Sequence, residues 1–166
     1  MKKWNMFSYL VTQLIAWSDE VNSVEQRNSL TKLKLIKLLF FVSAADQSNG
    51  PSNLLAVFNN FYAMPYGHVE SDIYNEIVNR GILDYSFANS MKLEASEDDK
   101  RVIQSAVGYL RKQNNDLIKY TANELVDLSH EWHSWKSVYG IARTLGKYSM
   151  KIPVEVIEKE RKFYHL

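Results

Sequence analysis

The chain has 166 residues, of which 46% are hydrophobic and 13% aromatic, and its 20 basic and 19 acidic side chains leave a net charge of +1. This length predicts one domain over residues 1–166, and the apolar content excludes an intrinsically disordered chain. The near-neutral charge disfavours a general nucleic-acid binder, and the absence of cysteine excludes disulfides, thiolate metal sites and cysteine nucleophiles.

The N-terminal stretch is typical of an amphipathic helix and not of a signal peptide. The apolar residues at helical spacing, which predict a first helix over about residues 4–18, are Phe7, Leu10, Val11, Leu14 and Ile15. Polar residues interrupt this run, and no small-residue cleavage site follows it. No apolar run approaches the roughly 18 to 20 residues that a membrane span needs. We therefore expect a cytoplasmic protein that does not contact a membrane.

A second helix is predicted from Leu30 to Asp46, in LTKLKLIKLLFFVSAAD. Its apolar side chains cover nearly the whole circumference, which indicates a central helix. Lys34 and Lys37 share one narrow strip, and Lys32 lies on roughly the opposite side. We interpret the strip as solvent-exposed. Contact with phosphate or with an acidic partner is the alternative.

The middle of the chain mixes helix, strand and turn signals. SNGPSN, from Ser48, predicts a loop, and LLAVFNNFYAM, from Leu54, is compatible with a helix or a strand. MPYGHV predicts a turn in which Gly67 takes a positive φ. The four-residue spacing of Val69, Ile73 and Ile77 predicts a helix that ends near Gly81. Residues 81–96 have no helical period and predict a short strand or hairpin.

Capping residues mark the next two helices. Ser96 with Asp99, and Thr121 with Glu124, have the spacing of capping boxes. The last helix is predicted to begin at Pro153 and to run through VEVIEKERKFY. Together these elements predict a mostly α fold, a single compact domain of about six or seven helices, with room for one short β-hairpin.

The segment LVDLSHEWHSW, residues 125–135, contains two histidines and two tryptophans. Continued as one helix, it places Trp135 on an apolar face and His130 with His133 on a second face. The zinc-protease pattern needs histidines four residues apart, whereas these are three apart. We therefore expect no metal ligand and no cofactor here. His130 should fix a contact with a neighbouring element, Trp135 should be buried, and His133 should lie near the surface.

No catalytic group stands out in the sequence. Ser129 and His130 are adjacent, and adjacent helical side chains point apart. The glycines form no phosphate-binding loop, and the acidic residues 97–99 suit the start of a helix. The sequence therefore predicts no catalytic, cofactor-binding or metal-binding residue, and a protein that is not an enzyme.

Three segments, in order and covering roughly residues 5–163, resemble the Panacea domain, the family of SocA-like antitoxins and phage-associated proteins. The first segment matches the opening helix of the family at Leu35, Lys37, Leu38, Leu39, Phe40 and Phe41. The second segment resembles the family at Tyr66, Gly67, His68, Val69 and Tyr74. The third segment resembles it at Leu128, Ser129, His130 and Trp135. The family usually has proline at the position of His68, so the resemblance implies that His68→Pro is tolerated.

The resemblance implies an antitoxin of a toxin–antitoxin system. Such a protein neutralises a toxin encoded beside it, usually by direct binding, and one member of the family delivers its toxin to a protease. The expected partners are therefore a cognate toxin and, for the delivery route, a cellular protease. The residues that carry the resemblance are expected to have structural or partner-binding roles.

Two other functions are compatible with the sequence. A nucleic-acid-binding regulator of a phage or mobile-element operon could use Lys32, Lys34, Lys37 and the pair Arg111–Lys112, although the neutral charge makes nucleic acid an unfavoured partner. A metal-dependent hydrolase could centre on His130 and His133. Salt-dependent binding would indicate the first function, and stoichiometric bound metal would indicate the second.

Overall fold

Helices dominate the computed structural model, which describes residues 2–21, 30–45, 53–90 and 94–166. The described α-helices are α1 Lys2–Val21, α2 Lys32–Ala45, α3 Asn53–Val57, α4 Ser71–Asn79, α5 Glu97–Gln113, α6 Ala122–His130, α7 His133–Thr144 and α8 Val154–Lys159. The described strands are β1 Phe61–Met64, β2 Gly67–Glu70 and β3 Met150–Lys151. The predicted mostly α fold is confirmed, with more helices than expected. None of the helices described here is long and apolar enough to cross a membrane.

Helix α2 is the central element, as its apolar circumference predicts. Twelve of its 14 residues are buried, and it packs against α1, α5, α6 and β2. The prediction that Lys34 and Lys37 form a solvent-exposed strip is wrong, because both side chains are buried. Lys34 Nζ donates to the carbonyl of Ile118, and Lys37 Nζ donates to the carbonyl of His68. Backbone carbonyls of neighbouring elements thus replace water around these ammonium groups.

The predicted turn at MPYGHV joins the antiparallel strands β1 and β2, with Met64 opposite Gly67. The ambiguous segment from Leu54 divides between α3 and β1. Strand β3, which was not predicted, pairs with the other edge of β1. Val69 lies on β2 and not on a helix, because α4 begins only after Glu70, whose carboxylate caps it by accepting from the backbone N–H of Ile73.

Both predicted helix starts are confirmed. Ser96 Oγ accepts from the backbone N–H of Asp99, and Thr121 and Glu124 form a reciprocal capping box. The prediction of a strand or hairpin over residues 81–96 is wrong for the described residues of this range. Tyr85–Ser90 form a 3-10 helix, and before it Asp84 makes only an isolated antiparallel β-bridge with Thr31, outside the described strands. Residues 91–93 lie outside the described residues, as do residues 48–52 of the predicted loop SNGPSN, whose last residue, Asn53, begins α3. Helix α8 has its N-cap at Pro153 but ends at residue 159, earlier than expected.

The segment LVDLSHEWHSW is not one helix, which corrects our prediction. Helix α6 ends at His130, and Trp132 is extended (φ −74°, ψ 135°) before α7 starts at His133. The break places the Trp132 ring in the core, edge-on to Phe40 at 5.0 Å between centroids. Trp132 is therefore fully buried, whereas Trp135, which we expected to be buried, is only partly so.

Candidate functional site

A buried polar cluster connects α2, β2, α6 and α7. We call it the His68 cluster, and it consists of Lys37, His68, Ser129 and Ser134. The imidazole Nδ1 of His68 lies 2.7 Å from Ser129 Oγ, and its Nε2 lies 2.7 Å from Ser134 Oγ. The ring also stacks on Phe40 with 3.6 Å between centroids. All four polar side chains are fully buried, and both nitrogens of the imidazole have a hydroxyl partner.

The backbone of β2 is held by the same cluster. The N–H of His68 donates to Ser129 Oγ over 3.1 Å, and its carbonyl accepts from Lys37 Nζ over 2.7 Å. This contradicts the expectation that His68→Pro is tolerated, because proline has no N–H to donate and would also remove the ring. Gly67 has a φ of +95°, and a β-carbon there would lie 2.3 Å from Ser129 Oγ. Only glycine allows β2 to approach α6 this closely.

Burial controls the charges in the cluster. It lowers the pKa of Lys37 from 10.5 to about 7, and among the described residues no carboxylate forms an ion pair with Lys37. Burial first, and then the nearby Lys37 and His130, hold the pKa of His68 well below its usual 6.5. His68 is therefore neutral at pH 7, with one ring nitrogen donating and the other accepting. One serine hydroxyl accepts from the imidazole, and the other donates to it.

The low pKa of Lys37 predicts a stability that rises with pH. Between about 7 and 10.5 the unfolded chain binds the Lys37 proton more tightly than the folded protein does. The free energy of unfolding should therefore increase by about 1.4 kcal/mol per pH unit in this window, or roughly 3 to 6 °C in melting temperature. Lys37→Met should remove the part of this rise between about pH 7 and 8, where Lys37 has lost its proton in the folded protein and the other buried lysine, Lys34, still largely keeps its own.

Lys34→Met is the matched control for that experiment. Burial lowers the pKa of Lys34 to about 8. Between pH 7 and 8 the free energy of unfolding of Lys34→Met should therefore still rise with pH, whereas that of Lys37→Met should not. Melting curves of the three proteins from pH 6 to 9 measure the effect. Parallel pH profiles for Lys37→Met and the unmodified protein would show that Lys37 does not titrate in this range.

The tip of the β1–β2 hairpin is fixed from the outside by aromatic residues of α6 and α7. His130 Nε2 lies 3.0 Å from the carbonyl oxygen of Pro65, and Trp135 Nε1 donates to the carbonyl of Met64 over 2.8 Å. The two rings stack with 3.9 Å between centroids. The prediction that His130 fixes a neighbouring element is thus confirmed, and the element is this hairpin. Tyr66, at the tip, is 68% exposed.

The structure brings together seven of the fifteen residues that carry the family resemblance. Around the cluster and the hairpin tip lie Lys37, Tyr66, Gly67, His68, Ser129, His130 and Trp135. Leu35, Leu38 and Val69 belong to the hydrophobic core. Tyr74 lies apart, exposed on α4, with Lys32 Nζ 5.9 Å from its ring centre.

Sequence reasoning missed one member of the His68 cluster, Ser134, and misplaced another, Lys37. Ser134 was missed because a continuous helix through residue 135 assigns it no partner, and the break at Trp132 is what directs it to His68. Lys37 was identified as a motif residue but placed in solvent. Its apolar neighbours on every side of α2 were a usable signal for burial.

The two histidines of the third segment do not form a pair. His130 ends α6 and contacts Pro65, whereas His133 starts α7 and is exposed, as predicted. Over the residues that the structure describes, no group of three or more His, Cys, Asp or Glu side chains is placed to hold a metal ion. His130 and His133 therefore do not form the shared metal centre that a hydrolase would need.

Comparison of the chain with protein-family models, with curated proteins and with solved structures gave no match. The basis for a function is therefore the geometry around His68, the exposed surfaces, and the resemblance of the three segments.

Proposed function

We propose that this protein is an antitoxin that neutralises a toxin encoded beside it by direct protein–protein binding. The observation that carries the proposal is that the three segments resembling the Panacea domain contact one another around His68. Lys37 and His68 are 31 residues apart in the chain, and His68 and Ser129 are 61 apart, yet each pair is hydrogen-bonded. Contact between distant motif residues is expected if the segments form one structural unit, and it supports the resemblance on which the proposal rests.

The His68 cluster is better suited to support than to catalysis. Its side chains are fully buried and bond to one another and to backbone groups, so a substrate cannot reach them. Buried and satisfied polar networks give a fold rigidity and a unique arrangement. Here the network fixes the hairpin on three helices. A rigid scaffold with exposed apolar side chains favours a binding role, since little conformational entropy is lost on association.

The two alternative functions receive less support from the geometry. Two of the lysines suggested for nucleic-acid binding, Lys34 and Lys37, are buried and bonded to backbone carbonyls, so they cannot reach phosphate. The hydrolase suggestion depended on His130 and His133 acting together, and they belong to different helices. We therefore propose neither a nucleic-acid partner nor an enzymatic reaction.

Co-expression with the product of the adjacent gene tests the proposal. We expect growth rescue, a complex that survives size-exclusion chromatography, and a titration in which inhibition of the toxin saturates near one equivalent. Rescue at a small fraction of an equivalent, with falling toxin levels that depend on a cellular protease, would indicate delivery to that protease. No rescue, or rescue by trace amounts with stable toxin and no complex, would contradict neutralisation by binding.

A further inference from the structure

The C-terminal end of α7 and the turn after it form an exposed surface that the proposed function does not yet explain. We call residues 141–148 the α7 tip. Ile141, Leu145 and Tyr148 are 53%, 60% and 63% exposed, and they are three of the eight large hydrophobic side chains exposed in the described part of the chain. Such a concentration within eight consecutive residues is a feature of interaction sites.

The α7 tip is held in a defined conformation. Gly146 has a φ of +71°, its N–H donates to the carbonyl of Arg143, and the N–H of Lys147 donates to the carbonyl of Ala142. This is a Schellman motif, which closes a helix with satisfied carbonyls. The Arg143 guanidinium lies 4.0 Å from the centre of the Tyr148 ring. Strand β3 follows at once and pairs with β1, so both ends of the tip are anchored.

The local charge indicates what kind of molecule binds there. Between Trp132 and Val154 the chain contains four lysine or arginine residues and no acidic residue, and one of the four, Lys136, forms an ion pair with Glu131 just outside this range. Two of these cations, Arg143 and Lys147, belong to the tip. A symmetric dimer that paired the tips of two copies would bring like charges together at this surface, which disfavours that form of self-association. Nucleic acid would satisfy the cations but would leave the aliphatic side chains exposed.

We propose that the α7 tip is the surface that binds the toxin, and that the toxin offers an apolar groove bordered by carboxylates. This inference rests on the proposed antitoxin function and names the surface that performs it. Ile141 and Leu145, one helical turn apart, enter the groove. Lys147 lies at the rim, where charge accelerates association and confers salt dependence.

The test uses the full-length protein and the product of the adjacent gene. Ile141→Asp combined with Leu145→Asp should weaken toxin binding at least roughly tenfold, because interface energy is concentrated in a few buried anchors, and should abolish growth rescue. The matched control is Val78→Asp with Leu83→Asp, on a different exposed apolar surface where these residues are 49% and 76% exposed. The control should bind and rescue as the unmodified protein does. Melting temperatures verify that each variant folds.

Lys147→Glu provides a second measurement that does not depend on the double variant folding. It should slow association and reduce the dependence of binding on salt, whereas Lys112→Glu on α5 should do neither. If the unmodified protein binds and rescues, but the folded tip variants bind equally well, the α7 tip is not the toxin site and the antitoxin function stands. If the unmodified protein itself binds no toxin, both proposals are wrong. If the tip variants change only a dimer–monomer equilibrium, a second copy occupies the tip and the inference is overturned.

Discussion

Gly67→Ala should lower the melting temperature by roughly 4 to 20 °C, since a strained positive φ costs about 1 to 2 kcal/mol and overpacking a core about 1 to 3 kcal/mol, with each kcal/mol worth about 2 to 4 °C at this length. The added methyl group would lie 2.3 Å from Ser129 Oγ and 3.2 Å from Lys37 Nζ, so it must displace two members of the His68 cluster. Thermal denaturation followed by circular dichroism measures the loss.

Gly81→Ala is the matched control for the packing contribution. Gly81 also has a positive φ, +65°, but a β-carbon there would meet no heavy atom within 4 Å. Gly81→Ala should therefore lower the free energy of unfolding only by the backbone strain of the positive φ, about 1 kcal/mol. Equal losses in the two variants would mean that β2 does not pack against Ser129 as the structure places it.

Trp132→Ala should destabilise the protein by about 3 to 5 kcal/mol, the usual result of removing a fully buried aromatic side chain. The Trp132 ring contacts Phe40, Phe41 and Phe163, and its Nε1 donates to the carbonyl of Phe163. Its removal leaves a cavity between α2 and the C-terminal segment and an acceptor without its donor. Urea denaturation at constant pH measures the change in the free energy of unfolding.

Trp135→Ala is the comparison that distinguishes the two tryptophans. Trp135 is only partly buried, stacks on His130 and Tyr139, and donates to the carbonyl of Met64. Its removal should cost less than that of Trp132 and should mainly loosen the hairpin tip. A larger loss for Trp135→Ala than for Trp132→Ala would contradict the helix break and favour the continuous helix that the sequence suggested.

Local patterns in the sequence determined much of the secondary structure. The apolar circumference of α2 predicted its central position, the capping residues located the starts of α5 and α6, and the MPYGHV turn with Gly67 predicted the hairpin. These features depend on residues close together in the chain, where spacing and backbone preferences are sufficient. The resemblance of three segments also selected most of the residues that meet around His68.

Tertiary structure alone decided the environments of those residues. Lys37 is buried because the β2 carbonyl of His68 replaces its water, and that carbonyl lies 31 residues away in the chain. The helix ends at His130 because burying the Trp132 ring against Phe40 outweighs continuing the helical hydrogen bonds. Strand β3 forms only because β1 offers it an edge. In each case the deciding partner is distant in sequence, so neither periodicity nor local propensity could identify it.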